Sequence, residues 1–261
     1  MFDFHMHSCL SFDSEASPEA MAKAAIQNGL REICFTDHYD HNSNPNLPAK
    51  IFMVEQYRQL YDGFYVPGIA VRKGVEFGLT RWNAPHLKAL AALYPFDFVL
   101  GSVHFVDGVD PYEPRYWKNR TVHEAFHAYL EEVYQCVLLH DGFDVLGHLT
   151  YVCKSVYNPS RGPVPMEDHR ELVDEILKLL ADKGKGMEVN TSGMDRAGTF
   201  LPGAEYLRRF KELGGNIVTI GSDAHDPIRV GQYAPQVVQM LKEIFGHVCT
   251  FQNRQPIFYK L

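Results

Sequence analysis

The sequence predicts an α/β protein: a closed or nearly closed barrel of parallel strands ringed by helices. Three observations carry the prediction. Short apolar runs alternate with helix-like segments seven times along 261 residues, the pattern of strands joined by helical crossovers. Strands connected in that way are parallel, because a parallel pair cannot be closed by a tight turn. No glycine-rich nucleotide fingerprint follows the first run, which favours a barrel over an open doubly wound sheet, and the length suits one barrel domain spanning residues 1–261.

Taken in order, the strand candidates are MFDFHMH (1–7), REICFTDH (31–38), VRKGVEFG (71–78), FDFVLGSVHF (96–105), DVLGHLTYV (144–152), GMEVNTS (186–192) and NIVTIGSDAH (216–225). Between the first two, Ser17-Pro18 has the form of an N-cap and first helical residue, and Gly29 stands where a left-handed glycine would close the helix. Thr121-x-x-Glu124 is a capping box at the head of a long amphipathic segment expected to end near Gly142. Segments 165–184, 203–214 and 230–246 carry apolar residues at helical spacing. Stretches 40–50 and 105–120, rich in Asn, Pro, Asp and Tyr, are expected to be loops over an active site.

The chemistry is written at the strand ends. Side chains of a strand alternate between its faces, so His5 and His7 share one face, away from Phe2, Phe4 and Met6. Two adjacent imidazoles repel when protonated, whereas a shared metal ion removes the conflict. The next strands end in Thr36-Asp37-His38, Glu76, Ser102-Val103-His104, Gly147-His148 and Ser222-Asp223-Ala224-His225. Six of seven strand ends thus carry His, Asp or Glu, types rarely buried unpaired. In a barrel these ends converge where catalytic groups collect. Imidazole mixed with carboxylate suits zinc, iron or manganese rather than calcium.

Bulk properties exclude other classes. The net charge of −7 argues against a nucleic-acid-binding surface, and the cluster Arg208, Arg209, Lys211 reads as a solvated helix face. Five scattered cysteines without a C-x-x-C fit reduced thiols in the cytoplasm. No leader-like or membrane-spanning run is present in the sequence, so no membrane partner is expected. Oligomeric state is open.

The ordered set HxH, Asp13 six residues after the second His, TDH, GVE, SVH, GH and SDAH resembles the PHP (polymerase and histidinol phosphatase) family over residues 1 to about 225. GSVHF, EVNTSG and the length resemble its histidinol-phosphate phosphatase branch. The resemblance implies a distorted (β/α)7 TIM-like barrel with three divalent transition-metal ions (Zn, Mn or Fe) at the C-terminal ends of the strands. His5, His7, Glu76 and Asp223 would hold the first ion. Glu76 would bridge to a second, held also by His104 and His148. Asp13, His38 and His225 would hold the third; some relatives have histidine where Asp13 stands. Glu76, Asp223 and His225 would be the catalytic residues among these.

The implied reaction is hydrolysis of a small phosphate monoester, L-histidinol phosphate, by hydroxide shared between two ions, its pKa lowered toward about 7. Three carboxylates and three divalent ions leave a charge of about +3, which hydroxide and a phosphate dianion would neutralise. Arg161 in NPSRGP and Arg196 in SGMDRAG resemble that branch's phosphate clamps, a role suited to bidentate guanidinium contacts. His41 and His169 are candidates for the acid that protonates the leaving alcohol. Glu15, Asp37 and Asp226 are candidates to orient the ligand imidazoles. Competing readings are a PHP phosphoesterase for a nucleotide, a phosphotyrosyl protein or a nucleic-acid end, and a scaffold with structural metals.

Overall fold

The computed structural model describes residues 1–41, 49–163 and 165–261. Most of the loop expected at 40–50 therefore lies outside the described residues. In chain order, β1 (Phe2–Met6) leads through α1 (Pro18–Gln27) to β2 (Glu32–Phe35) and the short β3 (His38–Tyr39). Then come α2 (Val54–Tyr61), β4 (Ala70–Gly78), α3 (Ala84–Leu93), β5 (Phe98–Ser102), α4 (Pro114–Trp117), α5 (Val122–Leu139) and β6 (Val145–Leu146). The last crossovers are α6 (Arg170–Asp182), β7 (Gly186–Asn190), α7 (Met194–Ala197), α8 (Ala204–Glu212), β8 (Val218–Gly221) and α9 (Ala234–Ile244). An antiparallel pair, β9 (His247–Gln252) and β10 (Gln255–Lys260), ends the chain.

The sheet order is β1-β2-β4-β5-β6-β7-β8, parallel throughout, with β3 added alongside β4. A parallel bridge Met6–Ala224 brings the last strand's end back to the first, with the Asp223 N–H donating to the His5 carbonyl and the His7 N–H to the Ala224 carbonyl, both at 2.8 Å. The barrel is nearly closed, as the alternation predicts.

The expected second strand is split. Thr36 and Asp37 stand between β2 and β3 yet keep backbone bonds to their neighbours, the Thr36 N–H to the Met6 carbonyl (2.9 Å) and the Glu76 N–H to the Asp37 carbonyl (3.1 Å). The buried Asp37 carboxylate collects the Ser8 N–H (2.6 Å) and the hydroxyls of Ser8, Ser11 and Tyr61, and β3 places His38 beside Glu76.

Local signals place the helices. The Ser17 hydroxyl accepts the Ala20 N–H at 3.2 Å, and Gly29 takes φ +70° after the helix, a conformation open to glycine without steric penalty. Thr121 and Glu124 make both bonds of the capping box; that helix stops at Leu139, short of Gly142. Val173, Ile176, Leu177 and Leu180 of α6 follow helical spacing and are fully buried, each contributing about 1.5–3 kcal/mol of apolar transfer.

The C-terminal pair was not apparent from the alternation of strands and helices. Asn253 and Arg254, at φ +51° and +64°, form a two-residue turn of the primed kind that matches hairpin twist. Arg254 bonds Asp144 and the Gly142 carbonyl, the Asn253 N–H meets Asp97, and Phe251 packs on Phe98 at 5.0 Å. Asp97 and Asp144 directly precede β5 and β6, so the hairpin covers the end of the barrel opposite the strand C-termini.

Candidate metal centre

The nine side chains expected to hold metal meet at the C-terminal ends of the strands. Glu76, on β4 and fully buried, lies at their middle. Its Oε2 faces His5 Nε2 (3.3 Å), His7 Nε2 (3.6 Å) and His38 Nδ1 (2.9 Å). Its Oε1 faces His104 Nε2 (3.3 Å) and His148 Nε2 (2.9 Å). Asp223 Oδ1 lies 3.5 Å from His5 Nε2 and 3.4 Å from His7 Nε2. Asp13 Oδ2 lies 3.6 Å from His38 Nε2 and 3.3 Å from His225 Nε2. Asp13 is the most exposed of the three carboxylates.

A second ring of groups orients the imidazoles, and it is the part the strand-end pattern did not reveal. Glu188 of β7 receives His5 Nδ1 at 2.7 Å and the His148 N–H at 2.8 Å. Ser11 Oγ donates to Asp37 (2.9 Å) and so is left to accept from His7 Nδ1 (3.0 Å). Asp40 lies 3.2 Å from His104 Nδ1. These bonds put the ring proton on Nδ1 and aim the Nε2 lone pairs of His5, His7 and His104 inward. Lys154 and Ser192 hold Asp223 Oδ2, the latter at 3.1 Å, leaving Oδ1 toward the histidines.

This arrangement calls for cations. His5 Nε2 and His7 Nε2 stand 3.1 Å apart, so with each ring proton on Nδ1 their lone pairs oppose each other unless a cation or a further proton lies between them. Buried Glu76 Oε2 faces three imidazole nitrogens but has no well-aligned hydrogen bond to any of them, which is costly for an anionic oxygen away from water. Metal ions of the imidazole-carboxylate class fit both. Ligand atoms of His5, His7 and Asp223, of His5, Glu76 and His148, and of His7, His38 and His225 are each close enough to share one ion. His38, Asp40 and His104 make a further such group.

Without metal the cluster holds protons instead. Burial disfavours charge on His104, yet the Asp40 and Glu76 carboxylates raise it to about 9. Burial also opposes a charge on His5, and Glu188, Glu76 and Asp223 outweigh it, raising its pKa well above the usual histidine value. His7 goes the other way, held well below that value by burial and by the His225 and His38 rings.

A pocket opens from the cluster to the surface, its wall formed by Phe12, Lys50, Phe105, Asp110, Tyr112, Tyr151 and Lys154 together with several of the expected ligands. Asp110, Tyr112 and Phe105 come from the 105–120 stretch, so that loop does border the site. Arg196, exposed on α7, lies with its guanidinium carbon 5.9 Å from the Tyr112 ring. Arg161 is exposed, at φ +50° in the loop after β6, and neither arginine forms the pocket wall. His169 is not at the site: its ring packs against His123 and Phe126. His41 stacks on His86 at 3.9 Å. His140 is buried with Nε2 on the Thr80 carbonyl. Asp37 does act through Ser11 on His7, whereas Asp226 caps the short turn at 227–229 through the Ile228 N–H. Arg209, expected in solvent, makes two bonds to Asp174 on α6.

Comparison with known proteins adds independent observations. The PHP domain family matches residues 3–192. A histidinol-phosphatase of Lactococcus lactis is 31% identical over 227 residues, covering 85% of this chain and 83% of that protein. A probable histidinol-phosphatase of Clostridium acetobutylicum is 28% identical over 264 residues, covering 100% and 97%. Among solved structures, histidinol phosphate phosphatase from Lactococcus lactis, complexed with zinc, L-histidinol and phosphate, superposes with a TM-score of 0.80 at 28% identity over 98% of both chains.

Proposed function

The chain belongs to the PHP domain family, and on that premise we propose that it is a metal-dependent histidinol-phosphatase, hydrolysing L-histidinol phosphate to L-histidinol and phosphate. The observation that carries the reading is Glu76, buried between two sets of histidines with one carboxylate oxygen toward each. That arrangement suits a carboxylate shared by neighbouring ions, and zinc is the metal in the similar Lactococcus structure.

In this reading residues 1–261 act as one barrel domain in the cytoplasm, on a small-molecule phosphate ester, with neither nucleic acid nor membrane as partner. No helix among the described residues is long and apolar enough to cross a membrane. Three ions are held as the resemblance implies: His5, His7, Glu76 and Asp223 for the first, Glu76, His104 and His148 for the second, Asp13, His38 and His225 for the third. Bound ions supply an acidified water as nucleophile and neutralise charge on the phosphoryl oxygens.

The chain's own residues do the rest. Glu76 and Asp223 provide the negative charge that keeps the ions in register, and His225 with Asp13 forms the outer edge nearest solvent. Lys154, drawn against Asp223, adds positive charge at the pocket wall where a phosphate dianion would enter. Arg196, beside Tyr112, and Arg161, in the loop after β6, would in this reading clamp phosphate oxygens from the rim. The aromatic faces of Phe105, Tyr112 and Tyr151 suit an imidazole ring, and Asp110 suits the substrate's ammonium group.

The test is phosphate release from L-histidinol phosphate by zinc-, manganese- or iron-loaded protein, beside p-nitrophenyl phosphate, AMP and a phosphotyrosine peptide. A kcat/KM for histidinol phosphate at least a hundredfold above the others is the expected result. Equal slow rates on all four would refute the substrate assignment and leave a general phosphoesterase.

A further inference from the structure

We propose that His123, His127 and His169 form a second transition-metal site, on the face between α5 and the start of α6, for a borderline divalent ion such as Zn2+. None of these residues belongs to the cluster around Glu76. His123 and His127 sit four residues apart on α5, one turn above the other on a single helix face. His169 ends the short turn Met166–His169 and stands at the N-cap position of α6 without a side-chain capping bond. Its ring centre is 4.4 Å from that of His123 and 5.6 Å from that of His127, and the two helix rings are 6.2 Å apart. Three imidazoles bound to one zinc ion at about 2.0–2.1 Å hold their ring centres roughly 5 Å apart. The observed spacings bracket that value.

His169 gives the independent sign of a ligand. It is only 4% exposed, yet neither ring nitrogen has a hydrogen-bond partner. A buried imidazole left unpaired is unfavourable unless something binds it. Burial and the neighbouring His123 and His127 rings push its pKa down to about 4, which keeps it neutral, the form a metal takes.

The surroundings favour a cation. Glu167, Asp168, Glu171 and Glu175 line the same cleft. The one cation among the lining residues, Arg170, is engaged by Glu167 and by Asp174 at 3.4 Å. His127 Nε2 lies 3.7 Å from Glu131. In the metal-free arrangement His123 Nε2 lies 3.3 Å from the Asp168 carbonyl, so this exposed ring turns about its own axis to join the ion. Three protein nitrogens leave a fourth position for water or one of the cleft carboxylates. An ion there ties the first turns of one crossover helix to the head of the next.

The experiment compares the full chain with a His123→Ala/His127→Ala double variant, both carrying their active-site metal, by zinc titration calorimetry and by metal content per chain. Both substituted rings are at the surface, so folding is retained, and an unchanged kcat/KM verifies it. The wild type is expected to bind one zinc ion more than the variant, or to bind it at least tenfold more tightly. Metal content and affinity within tenfold between the two proteins would overturn the proposal. A His169→Phe variant, which keeps the volume and removes both nitrogens, is expected to lose the same ion while gaining thermal stability in the absence of zinc. Retention of the ion in that variant would equally refute the site.

Discussion

Glu188→Gln tests how much of the metal centre is held from behind. Glu188 contacts two of the residues expected to bind metal: its Oε1 receives His5 Nδ1 at 2.7 Å and its Oε2 the His148 N–H at 2.8 Å. Asn190 donates to Oε2 as well, at 3.1 Å. The amide keeps the shape but has one acceptor atom and no charge, so it supports either His5 or His148 fully, not both. A hydrogen bond to a charged acceptor is worth about 1.5–3 kcal/mol and a neutral one about 0.5–1.5, a difference near 1 kcal/mol per bond. Two such bonds give about 2 kcal/mol, or roughly a 30-fold loss of zinc affinity, inside the range of about 10–100-fold for partners of metal-ligating histidines. Competition with a fluorescent zinc chelator measures this directly. Because Glu188 touches neither the pocket nor the substrate's path, kcat at saturating zinc is expected to stay within a few-fold of wild type. Unchanged zinc affinity in a folded variant, or a lost kcat with affinity intact, would refute the reasoning.

Two further predictions follow from the same geometry. His104 lies near 9 in the metal-free protein because, against the effect of burial, Asp40 and Glu76 favour its charged form; below that pH it holds a proton that an ion must displace. Zinc binding at pH 7 is therefore expected to release at least one proton, and apparent affinity to rise with pH up to about 9; calorimetry in buffers of different ionisation enthalpy that finds no release would sink this account. Gly221 closes the back of the site: a Cβ there would come 2.0 Å from Glu188 Oε1 and 2.5 Å from His5 Cβ. Gly221→Ala is expected to lower stability by about 1–3 kcal/mol and to weaken zinc binding, read as a drop in Tm and in chelator competition; a wild-type Tm would show that the site yields more easily than the close approach implies.

The expected ligands were legible because a barrel turns position in the chain into position in space. Each strand delivers its last residues to the same end, so a His or Asp at a strand terminus announces a place as well as a type. His5 and His7 follow from period-two alternation alone. The same alternation was present in GMEVN, where Glu188 and Asn190 share one face and Met187 and Val189 the other. Glu188 sits inside its strand rather than at its end, so the strand-end pattern carries no sign of it. Asp40 and Lys154 had no such signal. They follow strand ends in irregular segments, where direction depends on how each loop folds back.

What the sequence by itself determined is therefore the alternation of strands and helices, the caps of α1 and α5, and the set of donors gathered at the barrel mouth. These depend on local periodicity and on the rule that consecutive parallel strands point the same way. Only the tertiary structure decided the split of the second strand around Asp37, the hairpin that covers the opposite end, and which nitrogen of each imidazole faces inward. It alone brought His169 from one crossover against His123 and His127 from another. Such choices are made by contacts between residues far apart in the chain, such as Glu188 with His5 or Arg254 with Asp144. Their strength depends on distance and burial, which no stretch of sequence contains by itself.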